Sequence, residues 1–110
     1  MEALSLDEVG RDLSRKAAGA TAGRSAQTVY GGAEQVLRQT VLALRAGSGL
    51  AEHENPGEAT LLVLQGRVEL SSGETTWPGR QGDLLVIPQA RHALQAIDDA
   101  VVLLTVAKSR

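Results

Sequence analysis

The stretch GSGLAEHENPGEATLLVLQG, from Gly47 to Gly66, decides how the rest of the chain is read. Two short runs, Leu50 to Glu54 and Ala59 to Gln65, flank Asn55-Pro56-Gly57-Glu58. In that tetrapeptide proline sets φ and glycine accepts a positive φ, which suits a type II turn. The segment therefore predicts a strand, a reversal near Pro56 and a second strand. Gly66 then separates this strand tightly enough from the next for a hairpin.

Working outward, the same texture continues in both directions. Runs rich in Val, Leu and Thr alternate with Gly, Asn, Pro or Asp, which predicts nine strands. These are Ala26 to Tyr30, Gln35 to Arg45, Leu50 to Glu54, Ala59 to Gln65, Arg67 to Ser71, Thr75 to Trp77, Leu84 to Ile87, His92 to Ile97 and Val101 to Ala107. Ser72-Gly73, Pro78-Gly79 and Asp98-Asp99 punctuate the later ones. So many short antiparallel strands must hide their edges by closure or by two packed sheets, so the expected fold class is all-β, a barrel or jelly roll.

Before the strands, residues 4–17 read as an amphipathic helix with Leu6, Val9, Leu13 and Ala17 along one side. Ser5 with Glu8 makes a capping box and Leu4 with Val9 a hydrophobic staple, so the helix is expected to start at Leu6. Gly10 weakens its middle. The small-residue stretch AAGATAGRSA, Ala17 to Ala26, reads as a connector. The expected division is a helical arm and linker over 1–24 and a β-domain over 25–110.

Composition narrows the chemistry. The 110 residues carry 11 basic and 13 acidic side chains, so no bulk cationic surface is offered to nucleic acid. Aromatic residues are limited to Tyr30 and Trp77, which leaves almost no stacking platform for bases. Cysteine is absent, so any metal would need nitrogen or oxygen donors. Nothing reads as a secretory leader or membrane span, and a cytoplasmic location without membrane partners is the expectation.

Two separated frameworks carry a resemblance to a known family. The first is Gly47, five residues, His53, one residue, Asn55, three residues, Ala59, six residues, Gly66. The second is Gly82-Asp83-Leu84-Leu85-Val86-Ile87-Pro88 followed by Gln89-Ala90-Arg91-His92. Together they resemble the cupin superfamily over about residues 35–107. The resemblance implies a small jelly-roll β-barrel of the cupin type, here with a short N-terminal helix. It also departs from the family pattern. Asn55 stands where a second His is usual, Ala59 where a Glu is usual, Ala90 where a Gly is usual, and His92 arrives one residue early.

The resemblance implies an interior site. His53, Asn55 and His92 fall at or beside positions where cupins hold a metal, and Gln39 and Gln95 are polar residues within apolar strands that could line the same pocket. These five form the expected ligand-binding set. Two imidazoles and an Asn carbonyl could take one divalent transition metal, Zn, Fe, Mn, Ni or Cu, and a metal-free barrel is the equal alternative. Glu58 would join only if a bulge at Pro56-Gly57 reset its register, since counting back from Gly66 puts it on the opposite face. Otherwise it is a solvated turn residue.

Three functions stay open on this reading. One is a binding module for a small organic molecule; another is a metal-dependent enzyme, an oxygenase, isomerase or lyase; the third is a structural or regulatory module without catalysis. The resemblance also implies a homodimer, with the N-terminal helix a candidate for contact with a partner.

Overall fold

A computed structural model describes residues 3–53 and 57–108, with only the backbone of His53. Helix α1 spans Leu6–Gly19. Nine strands follow: β1 Arg24–Tyr30, β2 Leu37–Leu44, β3 Gly49–His53, β4 Gly57–Gln65, β5 Arg67–Ser72, β6 Thr75–Arg80, β7 Leu84–Val86, β8 His92–Ala96 and β9 Ala100–Lys108. They form a five-stranded sheet in the order β1-β2-β9-β4-β7 and a four-stranded sheet in the order β3-β8-β5-β6, with every pairing antiparallel.

The helix starts where its capping signals put it. Ser5 has an extended backbone and its hydroxyl accepts a hydrogen bond from the Glu8 amide at 3.2 Å, satisfying one of the otherwise orphaned first-turn donors. Its end falls later than the small-residue stretch suggested. Ala17 to Gly19 remain helical and β1 begins at Arg24, so the connector shrinks to residues 20–23. Ala17 is not linker at all: it is buried against the sheet, 2% exposed.

Two apolar layers result from strand alternation. On β2, Leu42 and Leu44 face the space between the sheets, while Val41 and Ala43 face the helix. On β9 the division is Ala100 and Val102 inward, Val101 toward the helix. Leu13 and Ala17 cover this outer face, with Leu6 and Val9 packed beside them. Gly10 sits at the close approach of helix and sheet, where a methyl would stand 3.2 Å from Val101 Cγ1, a tight contact that the valine side chain would have to ease. The apolar side of α1 is thus spent on the chain's own barrel.

Two turn assignments need correction. Gly66 does not make a hairpin: β4 belongs to the five-stranded sheet and β5 to the other, so Gly66 is the corner where the chain changes sheets. Its φ of +81° suits glycine, and a Cβ would fall 2.2 Å from the Asp99 carbonyl oxygen. Pro78 and Gly79 do not end a strand but lie within β6, which pairs only with β5, so the missing proline amide falls on an edge. The β5–β6 hairpin closes as expected, with Ser72 paired to Thr75. The turn expected at Asn55-Pro56 lies outside the described residues; Gly57 opens β4.

Candidate site at the histidine end of the barrel

His53 ends β3 and Gly57 begins β4, so both lie at one end of the barrel. In the β3–β8 ladder His53 is the register partner of His92, which opens β8. His92 is 4% exposed. It shares the inner face with Leu94 and Ala96, both members of the core between the sheets. Its ring Nδ1 lies 2.9 Å from the Ala90 carbonyl oxygen, and as that oxygen can only accept, the proton is on Nδ1. Such a bond fixes both the tautomer and the plane of the ring.

Across from this pair, inward-facing positions near the end of the five-stranded sheet make one row. Arg38 on β2 is in register with Val106 on β9, and Val106 with Ala59 on β4. Ile87 continues the row through its amide, which donates to the Ala59 carbonyl at 3.0 Å. Ala59 and Ile87 are buried, and Val106 packs on the same core. The next row inward holds Thr40, Leu104 and Leu61. Thr40 apart, the wall is aliphatic, with cations at its rim: Arg38 is exposed, and Lys108, two residues beyond Val106, keeps the inward parity.

The glutamines are not brought to this site. Gln39 has the parity of Val41 and Ala43, so it lies on the outer face, where its amide donates to Thr105 Oγ1 at 3.2 Å. Gln95 alternates with Leu94 and Ala96 and is exposed on the outer face of the four-stranded sheet. There it lines a shallow groove of about 270 Å³ with Gly49, Ala51, Glu69 and Ser71. Glu58 is exposed and in unbroken register with Ala107, so the bulge that would turn it inward is not formed. Asn55 lies outside the described residues.

Flanking side chains are held on the outside. Arg91 Nε donates to Glu52 Oε1 at 2.9 Å, tying β3 to the segment before β8 beside the two histidines. At the opposite end, a groove of about 510 Å³ includes Arg67, Glu69, Pro78, Arg80 and Ile97. Arg67 is already spent there, its Nε and a terminal nitrogen donating to the two Asp98 oxygens at 2.7 and 3.2 Å. Those hydrogen bonds hold the Asp98 carboxyl below its ordinary range and push the guanidinium higher.

Comparison with known proteins bears on the fold. No family model and no curated protein matches the chain. Solved structures do. A conserved protein of unknown function from Streptococcus pyogenes is 28% identical, with a TM-score of 0.72 over 83% of this chain and 79% of its own. An RmlC-like cupin protein from Desulfovibrio desulfuricans is 24% identical, with a TM-score of 0.67 over 97% and 91%. The chain has the cupin fold. A salicylate 1,2-dioxygenase from Pseudoaminobacter salicylatoxidans, 19% identical, carries the same fold with a TM-score of 0.79; it covers 94% of this chain, which spans only 32% of that one. Cupin neighbours thus include enzymes and proteins of unknown function. The position to which the sequence resemblance assigns a carboxylate is the buried methyl of Ala59, and among the described residues no three His, Asp or Glu side chains converge to hold a metal.

Proposed function

We propose that this cupin binds a small organic molecule at the histidine end of its barrel. The observation that carries the reading is His92: a buried imidazole, oriented through Nδ1, on the inner face of a barrel end whose described inward-facing neighbours are aliphatic apart from Thr40 and Arg38. A polar group fixed in an apolar concavity is the usual composition of a small-molecule site, where apolar walls supply burial and a few donors fix orientation. The test is screening of small organic molecules by thermal shift, wild type against His92→Ala. Stabilising compounds whose effect is lost in the variant support the reading; compounds acting equally on both count against it.

A second reading, metal-dependent catalysis, is favoured by one observation, the register pairing of His53 with His92. In it His53 and His92 hold a divalent transition metal, Zn, Fe, Mn, Ni or Cu, with Asn55 as a further oxygen donor. Bound there, such an ion would supply Lewis acidity or redox chemistry to a substrate against the aliphatic wall. Elemental analysis of untagged protein, purified without added metal, tests it against the His53→Ala/His92→Ala double variant. One equivalent of metal in the wild type, lost in the variant, supports it; none in either overturns it.

Homodimer formation belongs to the same proposal. It is supported by β1, a seven-residue strand at the end of its sheet with one ladder partner only. Sedimentation that finds a monomer at micromolar concentration removes it.

A further inference from the structure

We propose that the ligand of this site is a small carboxylate with an apolar body, and that Arg38 is the residue that recognises its charged end. The inference rests on the binding site proposed above and adds the chemical class of what it takes. Its starting point is parity. Along β2, Arg38, Thr40, Leu42 and Leu44 share one side of the strand, and Leu42 and Leu44 are in the core between the sheets. The register with β9 runs without a shift from Leu44 to Leu37, so Arg38 is on that inward-facing side too. It is the outermost inward-facing residue of β2, opposite Val106, at the barrel end that carries His53 and His92.

Among the described residues no carboxylate pairs with the cations at this rim. Arg38 has no hydrogen bond or ion pair among the described residues, whereas Arg67 and Arg91 are each matched by a carboxylate. Lys108, the outermost inward-facing residue of β9, donates one hydrogen bond from Nζ to the Gly32 carbonyl at 2.6 Å. That partner is neutral, so the ammonium keeps its charge and two further donors. Glu58, the acidic residue nearest in register on β4, has outward parity. Two cations beside a low-dielectric, mostly aliphatic barrel end raise a positive potential there.

The backbone that carries Arg38 is also fixed. The loop ahead of β2 presses against it so closely that a Cβ on Gly31 would come within 2.4 Å of the Leu37 carbonyl oxygen and 2.9 Å of Arg38 Cα. The Lys108 amide donates to the Val36 carbonyl at 2.8 Å, pinning the start of β2 to the end of β9. A planar guanidinium on such a support matches the two oxygens of a carboxylate. Behind it Val106, Ala59, Ile87 and Leu104 offer only aliphatic surface, which suits an unsubstituted hydrocarbon body. Burying that body contributes affinity in proportion to its area, while the arginine decides which end stays at the rim.

The experiment titrates the full isotope-labelled chain at low ionic strength with hexanoate and, separately, with hexanol, following the backbone amides of Arg38, Thr40, Ala59, His92 and Val106. The wild type is compared with Arg38→Gln and Arg38→Lys. Hexanoate should perturb these amides, and Arg38→Gln should weaken it by about tenfold or more, as loss of a charge-assisted pair does. Hexanol binding should change little in that variant, and Arg38→Lys, which keeps the charge without the fork, should fall between. Hexanol binding as tightly as hexanoate to the wild type, or hexanoate indifferent to Arg38→Gln, overturns the carboxylate inference and leaves the binding site standing. If neither compound perturbs these amides, the site and the inference fall together.

Discussion

His53 and His92 are backbone register partners at the end of the β3–β8 ladder, and the ring of His92 is anchored there by the Ala90 carbonyl. The anchor gives His92 a structural share in the barrel as well as a place in the site. Removing the imidazole leaves a void against Leu94 and takes away the hydrogen-bond partner of that carbonyl. His92→Ala should therefore lower unfolding stability by about 1–3 kcal/mol, chiefly through the lost packing of a buried side chain, since the exposed Ala90 carbonyl can turn to water. Urea denaturation followed by circular dichroism checks this, and an unchanged midpoint would mean that the ring contributes nothing to the fold.

Gly66 and Gly47 separate conformation from crowding. Both have positive φ, +81° and +85°, but a Cβ at Gly47 meets nothing within 4 Å, while one at Gly66 runs into the Asp99 carbonyl at 2.2 Å. Gly47→Ala should cost about 1–2 kcal/mol, the left-handed penalty alone. Gly66→Ala should cost roughly 3 kcal/mol or more, because the corner between the sheets must open as well. Equal shifts in the denaturation midpoint would refute the crowding argument.

What the sequence discloses about the site depends on which strand is read. All nine strands and the helix start are legible, because glycine, proline and aspartate mark the breaks and Ser5 with Glu8 marks the cap. Parity is harder. The end of β2, Val41-Leu42-Ala43-Leu44, is buried on both faces, by the helix and by the second sheet, so no alternation tells which of Arg38 and Gln39 turns inward. That is why Gln39 is an expected site residue while Arg38, its neighbour, is not. On β8 the signal was present: Gln95 is three residues from His92, and an odd spacing on an extended strand puts the two on opposite faces. The hairpin expected at Gly66 fails for another reason. Local turn chemistry is the same whether the next strand folds back on its own sheet or crosses to the other.

The helix offers a test of cooperativity. Leu13 is 2% exposed, packed between α1 and the outer face of β2 and β9. If α1 is part of the domain, Leu13→Ala should destabilise the whole chain by about 2–4 kcal/mol in one transition. Ser5→Ala should lower the same transition by about 1 kcal/mol through loss of the cap. A separate early helix transition, with the barrel midpoint unmoved, would make α1 an independent arm.

Asp98 sets the sign of one pH effect. Its carboxyl is held below the ordinary range chiefly by the hydrogen bonds from Arg67; desolvation opposes them, and the guanidinium's charge adds a lesser lowering. A group whose folded pKa is depressed stabilises the native state above its unfolded pKa and loses that contribution as pH falls through the folded value. Thermal stability of the wild type should therefore decline on acidification below the usual carboxylate range more steeply than that of Asp98→Asn, which has no carboxyl to protonate there. The difference should be small and should shrink further in high salt, since both side chains are about half exposed, at 60% for Arg67 and 49% for Asp98. Melting curves across the acid range for the two proteins check it. Parallel acid limbs would show that the Arg67–Asp98 pair, although it links β5 to the turn before β9, contributes nothing that depends on its charge.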